Sequence, residues 1–374
     1  MNDETRKPFE FEALAADLEG LLCEGPDRSW TDAEFDTLSA RVFRFQFEHN
    51  DTYRFFCEGR GIHPDRIASW RDAPAVPATA FKRLALRSTS GHPEAVFRTS
   101  GTTAGPGARG RHFVPSLALY RASLVGPFRR HVMSGLDRAP FISLVPSPEM
   151  APDSSLSWMI GAAAAECATD VRWLVDARGR LETDALRGSL QEAASGRSAV
   201  VVLGTALALV HMLDAIGERR SPPLPEGSRV METGGFKGAT RDVSREELRR
   251  RISAVTGVPA GRIVNEYGMT ELLSQLYEPV LEEGLAAAGV HVPPPWLRVR
   301  ALDAVTLEPV PEGHEGILAF FDLANVGSVC HVLTQDVGSV VDGRVRLRGR
   351  SPGAEPRGCS RAMDELMGLA RTAG

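Results

Sequence analysis

From Val96 onward, short apolar runs alternate with stretches of helical periodicity, and this order constrains the fold more than any other feature of the chain. Phe141–Val145, Val171–Val175, Ala199–Leu203, Arg229–Glu232 and Arg262–Val264 read as strands. Between them Asp184–Ala194 and Arg245–Val255 read as helices, the second with Ser244 as N-cap and Glu247 completing a capping box. Alternating strands and helices predict an α/β fold with a mainly parallel, helix-covered sheet. Ligands of such sheets sit at the carboxyl ends of strands, so the turns there are where chemistry is expected.

Residues 1–95 read as a mainly helical lead-in. Thr31 and Glu34 have capping-box spacing, and Phe35, Leu38, Val42 and Phe45 follow at helical intervals. The aromatics of FRFQFEHNDTYRFF are core material. Pro74 and Pro77 break the pattern before ATAFKRLAL. Near the other end, Val340–Leu347 alternates like an exposed hairpin with Asp342-Gly343 at its turn. An Arg-, Pro- and Gly-rich loop follows. A last helix, Ser360–Leu369, then places Met363, Leu366, Met367 and Ala370 on one face.

Composition removes several function classes. A chain of 374 residues can bury a large core without staples. A net charge of −5 argues against nucleic acid as a partner. Five widely spaced cysteines without a CxxC pair exclude a disulfide framework and a zinc ribbon, and fit a reducing compartment. The longest apolar run, Ala199–Leu213, is too short for a bilayer and contains Gly204 and His211, so membrane insertion is not expected. MNDETRKPFEFEA carries no apolar signal core, and a cytoplasmic location is expected. The nine histidines show no HExxH or metal spacing, and no G-x-S-x-G elbow supports a serine hydrolase.

Four segments follow predicted strands and carry polar chemistry. Phe97–Arg111, FRTSGTTAGPGARGR, sets Ser100, Gly101, Thr102 and Thr103 in a loop whose N–H and O–H donors suit phosphate oxygens, with Arg109 and Arg111 adding charge. Such a loop is equally a plain flexible turn. Val230–Gly238, VMETGGFKG, offers Gly234 and Gly235 for close approach of a flat ring and Lys237 for an anion, or simply a tight strand–helix turn. In Arg262–Glu271, RIVNEYGMTE, a strand runs into Tyr267-Gly268 and a helix is expected to start near Thr270. Thr270 and Glu271 are hard oxygen donors suited to Mg²⁺ on phosphates, or an ordinary helix cap. Asp336 in TQDVG can accept from ribose hydroxyls or close a turn, with Gly349-Arg350 downstream. His112, just past the first loop, lines a nucleotide site or is a satisfied loop histidine.

The four segments occur in the order of the adenylate-forming superfamily, which includes acyl-CoA synthetases, luciferase-type ligases and peptide-synthetase adenylation domains. FQFEHNDTYRFFC, VPATAFKR, METGGFKG, NEYGMTELLSQLY, PPPWLRV, FFDLANV and RGCS more closely resemble the acyl-protein synthetases of the bacterial bioluminescence fatty-acid reductase, from about Phe43 to Cys359. The resemblance implies an adenylate-forming large domain over residues 1–348 and a small domain reduced to a tail over residues 349–374. It implies ATP and Mg²⁺ as cofactors and a carboxylic acid as substrate. It implies two steps: activation of the acid to acyl-AMP, then transfer to a thiol and onward to an acyl reductase or carrier protein.

By the same resemblance, Ser100 to Thr103 hold the β- and γ-phosphates. Gly234, Gly235 and Tyr267 frame adenine, and Thr270 contacts the α-phosphate. Glu271 holds Mg²⁺, and Asp336 binds ribose with Arg350 assisting at the hinge. Two departures follow. The superfamily loop usually ends in Pro-Lys, but Pro106 precedes Gly107, so Arg109 or Arg111 must supply the charge. No lysine follows Lys237, so the lysine of the usual mobile domain is missing and Lys237 is its candidate substitute. Cys359 matches the acyl-accepting tail cysteine. Arg357, Arg361 and a helix starting just after it favour the thiolate, although free cysteines are often simply buried. Cys330-His331 is not expected to be a dyad, because neighbours on a strand point to opposite faces. Trp158, Leu203, Phe236 and Met269 are candidates to line the acid pocket. The rival activities are a ligase using coenzyme A or a carrier thiol directly, and an ATP-binding scaffold without catalysis.

Overall fold

The computed structural model describes residues 3–99, 109–176, 178–217, 222–234, 243–350 and 356–372. The chain divides into two compact units. One is built from Met1–Ser123, Met269–Ser274 and Val292–Gly374, the other from Leu124–Gly268 and Gln275–His291.

The second unit contains the α/β sheet. Its strands lie in the order Ala168–Trp173, Ala139–Ser143, Val201–Thr205, Arg229–Thr233, Ile263–Tyr267 and Leu276–Tyr277. The first five are parallel and the last is antiparallel to its neighbour. All five strands expected from the apolar runs are present, with ends displaced by a few residues. At the Val171 run, the strand ends at Trp173, but Leu174 N still bonds Ser143 O at 2.9 Å, Val175 bridges Leu181, and the two stay 4% and 6% exposed. Helices Thr183–Ser195, Ala206–Ile216 and Arg245–Thr256 pack on one face, where Leu186, Leu209 and Ile252 meet Ile142, Val202 and Val230. Ser244 caps the third of these helices through Glu247 N at 3.1 Å, and Gly257 ends it at φ 74°.

The first unit begins with helices Asp3–Cys23, Asp32–His49 and Asp51–Glu58. The capping box of Thr31 and Glu34 is formed. Asn50 ends one helix and caps the next through Tyr53 N. Leu297–Leu302, Gly316–Asp322, His331–Val341 and Arg344–Arg350 form an antiparallel ladder, and Val76–Pro77 joins His331–Val341 in parallel. The Asp342-Gly343 turn is present with φ of 49° and 73°, the positive angles a two-residue hairpin requires. Phe35, Trp70, Phe321 and His331 pack together between the helices and this ladder, edge to face except for the tilted Phe321–His331 pair.

The last helix is longer than expected. It runs Arg357–Thr372, so Cys359 lies inside its first turn rather than before it. Ser360 N bonds Pro356 O at 3.0 Å, and a proline at this point presets the first turn because its missing N–H has no partner to lose.

Candidate active site

The first segment forms a β-ribbon. Ala95–Arg98 pairs with Arg111–Val114, and Thr99 N bonds Gly110 O at 3.0 Å, so the loop leaves and returns through one ladder. Ser100, Gly101, Thr102 and Thr103 lie outside the described residues. Arg109 turns back to the base of the loop, donating from Nε to Thr99 O at 2.8 Å and from Nη2 to Arg98 O at 3.3 Å. Arg111 is exposed, its guanidinium 5.3 Å from the Phe113 ring centroid. Of the two expected loop cations, Arg109 is therefore used to brace the ribbon.

No helix starts near Thr270. Residues 269–274 form a turn leading to the strand Leu276–Tyr277. The cause is tertiary. Leu273 N and Ser274 N, which a first helical turn would aim at Met269 and Thr270 carbonyls, donate instead to Asp322 Oδ2 at 2.9 and 3.0 Å. Asp322 Oδ1 also accepts from Ser274 Oγ at 2.7 Å and Ala324 N at 3.0 Å. This carboxyl is fully buried, and burial pushes its pKa up while the four bonds pull it down, with a net rise.

The Thr270 and Glu271 carbonyls are held too. His112 Nδ1 lies 2.6 Å from Thr270 O, and Asn325 Nδ2 donates to Glu271 O at 2.9 Å. His112 Nε2 meets Asn325 Oδ1 at 2.9 Å, joining the two clamps. His112 is thus a buried histidine set between two oxygen acceptors, and burial lowers its pKa. Behind Asn325, the buried Gln46 donates to Asn325 O and Val326 O and accepts from Cys330 N. Thr270 and Glu271 therefore ride on a loop whose main chain is fixed by Asp322, Asn325 and His112. Sequence reading missed Asp322, Asn325 and Gln46 as positioning groups. Their only signal was the FFDLANV and FQF motifs, far away along the chain.

Asp336 and Arg350 are cross-strand partners, with Nε 3.5 Å from Oδ1. Asp336 N also bonds Thr334 Oγ1 at 3.0 Å. Cys359 is 1% exposed, packed with Ala75, Leu302, Ile317, Ala319 and Leu333, with Val337 against the same cluster. Its Sγ lies 3.5 Å from Thr334 O. Asp336 and Val337 are consecutive in regular register with Arg350 and Gly349, so their side chains leave opposite faces of the strand. The thiol and the Asp336–Arg350 pair thus occupy opposite faces of one sheet. Arg361 contacts Thr306 O at 3.4 Å and Glu365 at 3.9 Å.

In the second unit, Gly234 follows Thr233 at φ 69° and Tyr267 follows Glu266, at the carboxyl ends of adjacent parallel strands. Gly235, Phe236 and Lys237 lie outside the described residues. Leu203 is fully buried, whereas Trp158 and Met269 are half-buried. Cys330 and His331 form no dyad. His331 Nδ1 bonds Ala73 O at 2.7 Å, and burial pushes the Cys330 thiol pKa well up.

A family model described as acyl-protein synthetase, LuxE, matches residues 35–368. The chain belongs to that family. Two LuxE-type relatives are long-chain-fatty-acid–luciferin-component ligases. That of Vibrio harveyi is 22% identical over 342 residues, covering 88% of this chain and 86% of its own length. That of Aliivibrio fischeri is 21% identical over 340 residues, covering 87% and 85%. A solved 2-hydroxyisobutyryl-CoA ligase in complex with 2-HIB-AMP and CoA shares the fold at a TM-score of 0.64 and 17% identity, over 85% of this chain and 68% of its own. The chain spans about half, 49%, of an ATP-bound RpMatB-BxBclM chimera, at a TM-score of 0.49. No described helix is long and apolar enough to cross a membrane.

Proposed function

We propose that this chain activates a carboxylic acid with MgATP and passes the acyl group to a thiol, Cys359 being the first acceptor and an acyl reductase or carrier protein the next. The observation that carries the reading is the Thr270–Glu271 turn, whose two carbonyls, with the N–H groups of Leu273 and Ser274, are held by buried side chains. Phosphoryl chemistry needs positioning and charge stabilisation more than acid–base work, and a pre-fixed turn supplies the first. A carboxylate oxygen of the acid attacks the α-phosphorus, the bond to the pyrophosphate oxygen breaks, and acyl-AMP remains. The Cys359 sulfur then attacks the acyl carbon as its thiolate, and AMP leaves with the bridging oxygen.

Thr270 would meet the α-phosphate, and Asp336 with Arg350 the ribose. Gly234, Gly235 and Tyr267 would frame adenine, and Ser100 to Thr103 with Arg111 and Lys237 would meet the remaining phosphates. Glu271 is a hard donor, 8% exposed, on a fixed turn, which suits a cation that takes one or two carboxylates and otherwise phosphate and water. Mg²⁺ held there would neutralise charge on the phosphates. A second reading, transfer to an external thiol such as coenzyme A, is favoured by the burial of Cys359. Intact mass after incubation with MgATP and a pool of carboxylic acids tests both, with pyrophosphate read in parallel. A hydroxylamine-labile adduct at Cys359 is expected. Acid-dependent pyrophosphate without an adduct moves the reaction to the external thiol, and silence in both channels overturns the activity.

A further inference from the structure

At the ends of the strands Arg229–Thr233 and Ile263–Tyr267, two side chains are joined that no step of the reaction has used. Thr233 and Glu266 are register partners in the parallel ladder, so their side chains share a face. Thr233 Oγ1 donates to Glu266 Oε2. The other oxygen, Oε1, lies over Gly268, where an added Cβ would stand 2.5 Å from it and 3.4 Å from Gln275 Cγ. Glu266 is 3% and Thr233 5% exposed. Each stands at or next to the carboxyl end of its strand, followed by Gly234 in one and by Tyr267-Gly268 in the other.

We propose that Glu266 is a positioning residue for the nucleotide: bonded to Thr233 and seated over Gly268, its carboxyl fixes the separation of Gly234 and Tyr267, between which the base enters. This rests on the reading of Gly234 and Tyr267 as the adenine frame. A glycine at position 268 is then explained without any positive φ, since the space a Cβ would take belongs to the carboxyl. The carboxyl acts as a neutral group at mildly acidic pH. Burial, with the Glu232 charge adding, raises its pKa to about 7 against the pull of the Thr233 bond. Its register partner Tyr277 shares its face, with His131 stacked on Tyr277, whereas Glu232, paired with Asn265, leaves the other face of the sheet and acts on the carboxyl only through its charge. Ionisation would put a buried negative charge under a site for a polyanion.

The test is MgATP binding by calorimetry to the full chain, which requires no knowledge of the acid. Glu266→Ala is expected to weaken binding ~10-fold, the scale of one lost buried hydrogen bond. Glu266→Gln, which keeps an acceptor for Thr233, should stay within ~3-fold of wild type on the same scale. Gly268→Ala should weaken binding as Glu266→Ala does, and the double variant should be no weaker than Glu266→Ala alone, because the clash then has no partner. Wild-type affinity should fall above about pH 7 while that of Glu266→Gln stays flat. If Glu266→Ala does not fold, Thr233→Val against Thr233→Ser gives the same comparison from the other side of the bond. Wild-type affinity in both Glu266→Ala and Gly268→Ala, or equal loss in Glu266→Gln and Glu266→Ala, overturns the inference. Wild-type protein that does not bind MgATP overturns the nucleotide reading itself, and the inference with it.

Discussion

Asp322 shows how one side chain decides what a motif becomes. Four donors converge on its two oxygens, three of them main-chain N–H groups. Asparagine keeps one oxygen and replaces the other by a donor, so at least one buried N–H loses its acceptor. Asp322→Asn should therefore cost about 1–3 kcal/mol in urea-melting stability. Because the orphaned groups hold the turn after Thr270 and Glu271, acid-dependent pyrophosphate release should fall further than the loss of folded protein explains. Unchanged release per folded molecule would detach Asp322 from the site. Glu266 gives a second test at this scale. Its folded pKa of about 7 lies above the ordinary carboxyl value of 4.5, so the folded state binds the proton more tightly. Its contribution is then present below about pH 4.5 and lost as pH rises to about 7, an amount on the order of 3 kcal/mol. The urea midpoint of wild type minus that of Glu266→Gln should drop across this window and level off above it.

Elements were legible in the sequence where local pattern and tertiary context agree. The five parallel strands and the hairpin at Asp342-Gly343 follow from periodicity and turn chemistry, which act over neighbouring residues. The turn at Thr270 was not legible, because the acceptor that opens it, Asp322, arrives from a strand some fifty residues later in the chain. The same distance hid the His112–Asn325 clamp, while Ser100 to Thr103, the sharpest motif, falls outside the described residues. The C-terminal helix was legible in type but not in extent, and its extent matters. Cys359 is inside it and buried, on the face of the sheet away from Asp336. Transfer to Cys359 thus requires the helix to leave its seat. Three kinds of contact hold it: the Arg60–Glu365 ion pair at 2.6 Å, hydrogen bonds such as Gly358 N to Ala304 O at 2.9 Å and Arg361 to Thr306 O, and the buried Ala362, Met363 and Leu366. The ion pair is partly exposed to solvent and is worth ~0–1 kcal/mol, whereas truncating Leu366 costs ~2–5 kcal/mol. Alkylation of Cys359, mapped by mass spectrometry without nucleotide, should therefore speed up by no more than ~5-fold in Arg60→Ala but by ~30-fold or more in Leu366→Ala. Equal rates in all three proteins would mean that the thiol is reached without helix release.

At the scale of the whole molecule, the family match covers residues 35–368 and so includes both the segments proposed to hold the nucleotide and the helix that carries Cys359. One chain then carries both half-reactions, and they should be separable. Serine at position 359 keeps the helix and its packing while removing the thiol. Cys359→Ser is expected to release pyrophosphate once per active site with MgATP and the correct acid, and then to stall, since acyl-AMP has no protein acceptor. Added hydroxylamine should restore turnover by capturing the adenylate as a hydroxamate at a rate close to that of wild type under the same conditions. Wild type should instead carry its acyl group on sulfur and turn over only when a nucleophile or partner removes it. Multiple turnovers by Cys359→Ser with coenzyme A alone would assign the acceptor role to a free thiol, and Cys359 would then be a packing residue of the C-terminal helix. Nucleotide binding without acid-dependent pyrophosphate in either protein would leave a scaffold that has kept the fold and lost the reaction. The comparison works because Cys359 and the Asp336–Arg350 pair lie on different faces of one sheet, so removing the sulfur leaves that pair untouched.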